Sequence, residues 1–390
     1  MNSREDGMLA VTANWLLSDG SLAPAYAAGA DAWLHAIRRA VIRAGFRRDG
    51  RYAPVESLTL VFAGDTFDWL LSDTWSGRDR PWHGGPRSRA ARSRVVAASV
   101  RASRTVLTGL RRWGQRGISV PAVDAHGRPS ARAVHHASVQ LVMLAGDRDS
   151  WAGEAFILHD DQRRRTRGWV GESWSDGEVT IRHGHDRDPV THAVAGSMAP
   201  GTGRAPALSE SIVVDLVVPF AMAVKADAAL WHLARPRMGT IAASGVAKMP
   251  QAVARLVRLW GVGSPPGRRV FMMWRRAVTE WKKTACREPP VTDTQHDPVG
   301  AVADWLEASV ELPSRPVPDA IARLSMARPD AEDHRTIFGH CSIDVTGTSH
   351  GPWLRIVKPT RGLEPLGQVV PGPPVVTIGA TDGHHLVEAA

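Results

Sequence analysis

The chain is poor in cysteine. Only Cys286 and Cys341 occur among 390 residues. That excludes a disulfide framework and a four-cysteine zinc site, and it suggests a reducing compartment. A long apolar run is also lacking. The most apolar stretch, Ile212 to Val224, is interrupted by Asp215 and Pro219 and is too short to span a bilayer. The first residues, Met1 to Gly7, are polar and carry no apolar core of a secretory signal. These absences lead us to expect a cytoplasmic protein with no transmembrane segment. No Walker A loop occurs: Gly261-Val262-Gly263-Ser264 is followed by Pro265-Pro266, and no Gly-Lys-Ser/Thr completes it. Internal repeats and heptad arrays are absent too.

What is present fits a folded chain. Hydrophobic residues make up 43% and charged residues 22%, enough to bury a sizeable core. We expect one domain over residues 1–390, with a basic loop-helix and insertion at 78–138 and a helical, cap-like insertion at 209–287. The net charge of +9 is concentrated in one place. From Arg78 to Arg116 there are eleven arginines, no lysine, no glutamate and one acid, Asp79. Such a patch can bind nucleic acid or another polyanion. It can equally be the solvated face of a helix over Ser88 to Trp113, whose Val96, Val100, Leu107 and Leu110 fall at roughly helical spacing.

The rest of the chain alternates strands and helices. Asn14 to Ser18, Ser57 to Ala63, Val139 to Ala145, Glu178 to Arg182 and Arg335 to Phe338 read as strands. Each ends at an Asp or His: Asp19, Asp65, Asp147, His183 and His340. Ligands of α/β proteins gather at the carboxyl ends of strands. Carboxylates and imidazoles there are the ligand types for Mn²⁺, Fe or Zn²⁺. A single Gly-Asp is most often a turn, but five such ends in succession point to a metal centre. Asp31 to Phe46 reads as a helix, and Ser209 to Arg287 as mostly helical with breaks near Pro236 and Ser264-Pro265-Pro266.

The order of these motifs resembles the calcineurin-like metallophosphoesterases, in particular the bacterial UDP-diacylglucosamine hydrolase-like branch. The residues that carry it are Ser18-Asp19-Gly20-Ser21, Gly64-Asp65-Thr66-Phe67-Asp68-Trp69, Gly146-Asp147-Arg148-Asp149, His183-Gly184-His185 and Gly339-His340-Cys341-Ser342. Thr346-Gly347-Thr348 and Trp353 resemble the strand after the last motif. The resemblance implies an α/β fold of two mixed β-sheets packed face to face and flanked by helices, a four-layer sandwich. It also implies two metals bridged by Asp65 and a hydroxide that attacks a phosphoester or phosphoanhydride. Asp147, His183 and His340 would hold one metal, and Asp19 and Asp65 the other.

Asp147 stands where the family has Asn and remains a competent oxygen ligand, whereas the two missing ligands both fall on the second of those metals, where Ser21 and Ser342 stand in place of histidines. The ions expected are one or two of Mn, Fe, Zn or Mg, with Asp344 or Asp186 as further oxygen ligands. The expected function is metal-dependent hydrolysis of a phosphorylated small molecule or nucleotide. The alternative is a catalytically impaired, phosphoesterase-like binding or scaffold module. Arg148 is expected either to contact substrate phosphate or to pair with a carboxylate such as Asp149. Asp68 is expected to steady its loop, and His185 and Asp186 either to orient His183 or to belong to a polar loop. His135, His136 and Cys341 receive no catalytic role. In the helical insertion Trp231, Trp260, Trp274 and Trp281 read as core, with an apolar substrate groove as the alternative.

Overall fold

The computed structural model describes residues 7–151 apart from 25–26 and 48, residues 168–185 apart from 177–178, and residues 203–311 apart from 245, 247, 262 and 291–297; beyond these it describes 317–318, 336–338, 353–358 and 375–379. The strands are β1 (Gly7–Ala13), β2 (Ser57–Ala63), β3 (Ile118–Val123), β4 (Pro129–Leu144), β5 (Gly168–Gly171), β6 (Ser173–Ser175), β7 (Thr180–Arg182), β8 (Thr336–Phe338), β9 (Trp353–Lys358) and β10 (Val375–Gly379). The larger sheet runs β10-β9-β1-β2-β4-β3, with β5 also paired to β4. Its centre is parallel: β1 pairs with β2, β2 with β4, and β4 with β5. The smaller sheet is β6-β7-β8.

The central strands are apolar on both faces because both faces are covered. Met8, Ala10, Leu58, Leu60, Phe62 and Leu141 point into the main helical core. Leu9, Val11, Ala13, Val61, Ala63, Val142 and Leu144 point the other way and pack around Ile181 of β7. The smaller sheet therefore covers the face opposite the helices. The chain is thus α/β, with a mixed central sheet, a second small sheet and flanking helices.

Several boundaries differ from expectation, each for a local reason. The first strand is Gly7–Ala13, so Asn14 to Ser18 lies beyond its end. The basic segment forms two helices, α2 (Pro86–Ala102) and α3 (Arg104–Arg116), divided at Ser103. Ser88, Ala91, Val95 and Ser99 face inward on α2, so Val95 is buried and Val100 is exposed. Mostly small side chains set that close-packed stripe, and the break at Ser103 resets the phase for Val106 and Leu110. Residues 118–138 form a β-hairpin. Its second strand runs on without interruption into the central sheet, where Ser138–Leu144 lines up with Ser57–Ala63.

The helix preceding this segment, α1 (Ala27–Ala44), joins β1 to β2 and buries Ile37 and Val41. The helical region comprises α4 (Leu208–Ser211), a π-helical turn at Ile212–Val217, α5 (Val218–Lys225), α6 (Ala228–Ala243), α7 (Met249–Arg258), α8 (Pro265–Arg287) and α9 (Pro298–Glu311). It extends past the expected end at 287. Pro236 lies inside α6 and does not break it. The break falls at Asp227 instead, whose carboxylate caps α6 by accepting the N–H of Ala229 and Leu230 at 3.1 and 3.2 Å. The break at Ser264 is as expected: its hydroxyl accepts the Gly267 N–H at 3.1 Å, and Pro265 opens the helix.

Trp274 and Trp281 are fully buried, donating to the Leu306 carbonyl and the Ser211 hydroxyl, both at 3.0 Å. They are core residues and line no groove. No described helix is long and apolar enough to cross a membrane.

Candidate metal centre

The site begins with backbone geometry at the ends of β1 and β2. Among the described residues, Asn14, Leu16 and Asp65 are the non-glycine residues with positive φ, at 57°, 50° and 49°, and Gly64 stands at 93°. Left-handed backbone is costly for residues with a Cβ and persists where the surroundings impose it. Here the surroundings are two loops bonded side by side. Asn14 N–H donates to Gly64 O at 3.3 Å, Leu16 N–H to Asp65 O at 3.0 Å, Leu17 N–H to Thr66 O at 3.0 Å, and Asp68 N–H to Leu17 O at 3.2 Å. This pairing turns Asp65 out of the strand and toward the loop after β4.

That loop closes on Asp65 from the other side. Asp65 Oδ1 accepts the Arg148 N–H at 3.1 Å. A Cβ at Gly146 would stand 2.1 Å from Asp65 Oδ1, so the absence of a side chain there is what admits the carboxylate. Asp149 ties the two loops together, accepting the Gly146 N–H at 2.7 Å and the Phe67 N–H at 3.1 Å. By its place in the motif Asp149 is a candidate partner for Arg148. It pairs with backbone instead, and the arginine pairs with Asp68 at 3.5 Å and with the Ala242 carbonyl at the end of α6.

His183 follows β7. Its Nδ1 lies 2.8 Å from Ala63 O, so the Nδ1 proton goes to that carbonyl and Nε2 faces the carboxylates. Nε2 is 3.1 Å from Asp147 Oδ1 and 3.6 Å from Asp65 Oδ1. One potential ligand atom from each of Asp65, Asp147 and His183 lies within 4.8 Å of the others, and all three residues are buried.

The electrostatics follow from that crowding. Burial and the neighbouring Asp147 charge raise the Asp65 carboxyl to about 7, with His183 opposing. Burial likewise raises Asp149 to about 6 against the two N–H bonds it accepts. For His183 burial disfavours the charged ring, yet Asp65 and Asp147 outweigh it and lift the imidazole to about 9. Burial also raises Asp68, with Arg148 opposing. Four buried carboxylates, Asp65, Asp68, Asp147 and Asp149, thus face two buried cations, Arg148 and His183. A divalent cation would balance that surplus. Two carboxylates and an imidazole are also a suitable oxygen and nitrogen donor set for one. The residues present fit the ion.

Of the expected ligands, the structure brings together Asp65, Asp147 and His183. It does not bring Asp19 into the group. Asp19 Oδ1 accepts from Ser21 N–H at 2.9 Å and from its hydroxyl at 2.7 Å, and Oδ2 accepts from the Ser72 hydroxyl at 2.5 Å. It braces a loop. Because β1 ends at Ala13, the residue opposite Gly64 is Asn14, which is buried. The legible signal was the apolar run Met8 to Ala13, which already completes a strand.

His340, Cys341, Ser342, Asp344, Thr346-Gly347-Thr348 and Asp186 lie outside the described residues, as does the side chain of Trp353. The stretch Gly347-Thr348-Ser349-His350-Gly351, also outside them, has the Gly-x-Ser-x-Gly spacing of a serine nucleophile turn.

The helical region reaches the loops around the site. Lys225 donates to Asp73 at 2.9 Å and to Ser21 O at 3.3 Å, and Arg235 to Gly20 O at 2.9 Å. Trp69 stacks on Phe67 and Trp151, with ring centroids 5.3 and 5.5 Å apart, and backs the Asp65–Asp68 loop. Compared with known proteins, the chain matches no protein-family model, no curated protein and no solved structure.

Proposed function

We propose that the chain is a divalent-metal-dependent phosphoesterase that hydrolyses a phosphoester or phosphoanhydride, with Asp65, Asp147 and His183 as metal ligands. The observation that carries this reading is the buried triad itself, with ligand atoms within 4.8 Å at the ends of three strands. When bound, the cation supplies Lewis-acid polarisation of a phosphoryl oxygen and lowers the pKa of water. The chain's own part is positioning. The Ala63 carbonyl holds the Nδ1 proton of His183 and leaves Nε2 as a donor. The paired loops hold Asp65, and Asp149 locks the third loop to the second. Arg148 acts in this reading as a positioning residue, because its guanidinium is taken up by Asp68 and the Ala242 carbonyl. The resemblance to metallophosphoesterases supports the same assignment through Gly64-Asp65, Gly146-Asp147 and His183.

Elemental analysis of the purified chain and turnover of bis-p-nitrophenyl phosphate test the proposal together. We expect bound Mn²⁺, Fe, Zn²⁺ or Mg²⁺ and turnover that disappears with Asp147→Ala. Absence of metal and of turnover with every divalent ion would overturn it.

A second reading, a phosphoesterase-like binding module, is favoured by one observation. Asp19 is committed to Ser21 and Ser72, and Asn14 and Leu16 occupy the paired end of β1. Metal binding without turnover would select that reading.

A further inference from the structure

The two arginine-rich helices carry a surface that the metal centre does not use. Of the eleven arginines between Arg78 and Arg116, two are half-buried and bonded within the fold. Arg80 bonds Asp215 at 2.5 Å, and Arg92 bonds the Pro81 carbonyl at 2.9 Å. The other nine are exposed, and none forms an ion pair with any carboxylate among the described residues. The helical region differs in having carboxylates among its surface cations. There, Arg269 pairs with Asp227, Arg275 with Glu307, Lys282 with Asp304 and Lys283 with Glu280, while Arg237, Arg255 and Arg258 are exposed without an ion pair among the described residues. A general preference for arginine would put arginines on both surfaces, but it would not strip the carboxylates from one.

The arrangement is periodic. Arg87, Arg94 and Arg101 recur every seven residues and form one stripe along α2, about 21 Å from end to end at 1.5 Å per residue. Arg104 and Arg111 repeat the interval on α3. The opposite sides of both helices are buried through Val95, Val106 and Leu110, which fixes the arginines outward. Helix α1 packs beside α3, where Leu34 fills the space left by Gly109, and it carries exposed Arg39 and Arg43.

We infer that this surface binds the phosphate backbone of nucleic acid. Duplex DNA offers one negative charge per about 1.7 Å of axis, so a 21 Å stripe meets a dense row of phosphates. The guanidinium fork suits phosphate oxygens, and lysine is absent from the stretch. An anionic lipid surface fits less well. A membrane-lying helix presents large apolar side chains beside its cations, whereas here the apolar side is already in the core and Val100 is the one large apolar residue exposed on the two helices. The inference does not rest on the hydrolase reading.

The test is binding of the full chain to a fluorescent 30-mer DNA duplex and to a single-stranded RNA of equal length, across a salt series and with EDTA present. We expect affinity to fall by a factor of about 10² or more as salt rises from about 50 to about 200 mM. Arg94→Ala/Arg101→Ala/Arg111→Ala should lower the log–log salt slope by about 3, whereas Lys282→Ala/Lys283→Ala should leave it unchanged. If the triple variant does not fold, Arg111→Ala alone should lower the slope by about 1. Salt-independent binding, an unchanged slope in the arginine variants, or binding abolished by EDTA would each overturn the inference. So would arginine-dependent capture on phosphatidylserine vesicles without nucleic-acid binding. The DNA and RNA arms distinguish the two sources of the same phosphate chemistry.

Discussion

Gly64 and His183 share one volume. A Cβ on Gly64 would stand 2.1 Å from His183 Nδ1, and the glycine also holds φ at 93°. The imidazole reaches the two carboxylates only because the residue after β2 has no side chain. Gly64→Ala should therefore act twice, straining the backbone by about 1–3 kcal/mol and displacing the ring. We expect a lower melting temperature and a loss of Mn²⁺ affinity of roughly 10–100-fold, the usual consequence of disturbing the groups that orient a ligand. Calorimetric titration with Mn²⁺ checks this, and affinity equal to the parent's would show that the ring is held by other contacts.

Removing a ligand should be more severe. His183→Ala should abolish Mn²⁺ binding, whereas Asp147→Asn, which keeps an oxygen donor but loses a charge, should weaken it in part. At a metal concentration 100 times Kd, binding contributes about 2.7 kcal/mol to stability. The parent chain should therefore melt several degrees higher with metal, and His183→Ala should show no such shift.

The pH dependence has a definite sign. Asp65 is raised to about 7, Asp149 to about 6 and His183 to about 9. Each group holds its proton more tightly folded than unfolded, so the folded chain binds more protons and these groups make stability fall as pH rises. The carboxyl contributions decline from about pH 4, where the unfolded carboxyls ionise, to about 7. The His183 contribution is full below about 6.5 and lost through about 9. The metal-free melting temperature should drop between pH 6 and 9. Metal binding needs the deprotonated ligands, so its stabilising increment should grow over the same range. A metal-free protein that gains stability from pH 6 to 9 would contradict the charge assignment.

Arg148 and Asp68 form a buried pair at 3.5 Å beneath the helical region. Arg148→Met leaves the Asp68 charge without its partner, and breaking such a pair costs about 3–5 kcal/mol. Urea unfolding should show that loss. The double variant Arg148→Met/Asp68→Leu should recover part of it, because no charge then remains buried at that point.

Asp19 distinguishes the geometry from the motif reading. Its carboxylate serves Ser21 and Ser72, and each hydrogen bond contributes about 1 kcal/mol. Asp19→Ala should lower stability by that order and leave Mn²⁺ affinity unchanged. A loss of affinity of about tenfold or more would restore Asp19 as a ligand.

Much of the centre is legible in the sequence. Ser57 to Ala63 is a strand with the boundaries its sequence implies, because an unbroken apolar run ending at Gly-Asp admits few other conformations. Val139 to Ala145 is legible only as the end of a longer strand, since β4 already begins at Pro129 and ends at Leu144, and Asp65 and Asp147, which follow these two strands, do converge with His183. The first strand was misplaced because two apolar stretches adjoin, Met8 to Ala13 and Trp15 to Leu17, and local sequence cannot choose between them. Pairing of Gly7 with Ser57 chose. That register put Asn14 at the strand end and left Asp19 five residues further on, in a loop with its own hydroxyl partners.

The sequence by itself determined the alternation of strands and helices, the ligand types at the strand ends and the concentration of charge on one segment, because these depend on residue identity and short-range spacing. Only the tertiary structure decided which carboxylates share a site, that Arg148 pairs with Asp68 rather than Asp149, and which arginines are spent inside the fold. Those outcomes depend on contacts between residues 80 to 135 positions apart, such as Arg148 with Asp68 and Arg80 with Asp215. Register and packing set such distances, and no local pattern encodes them.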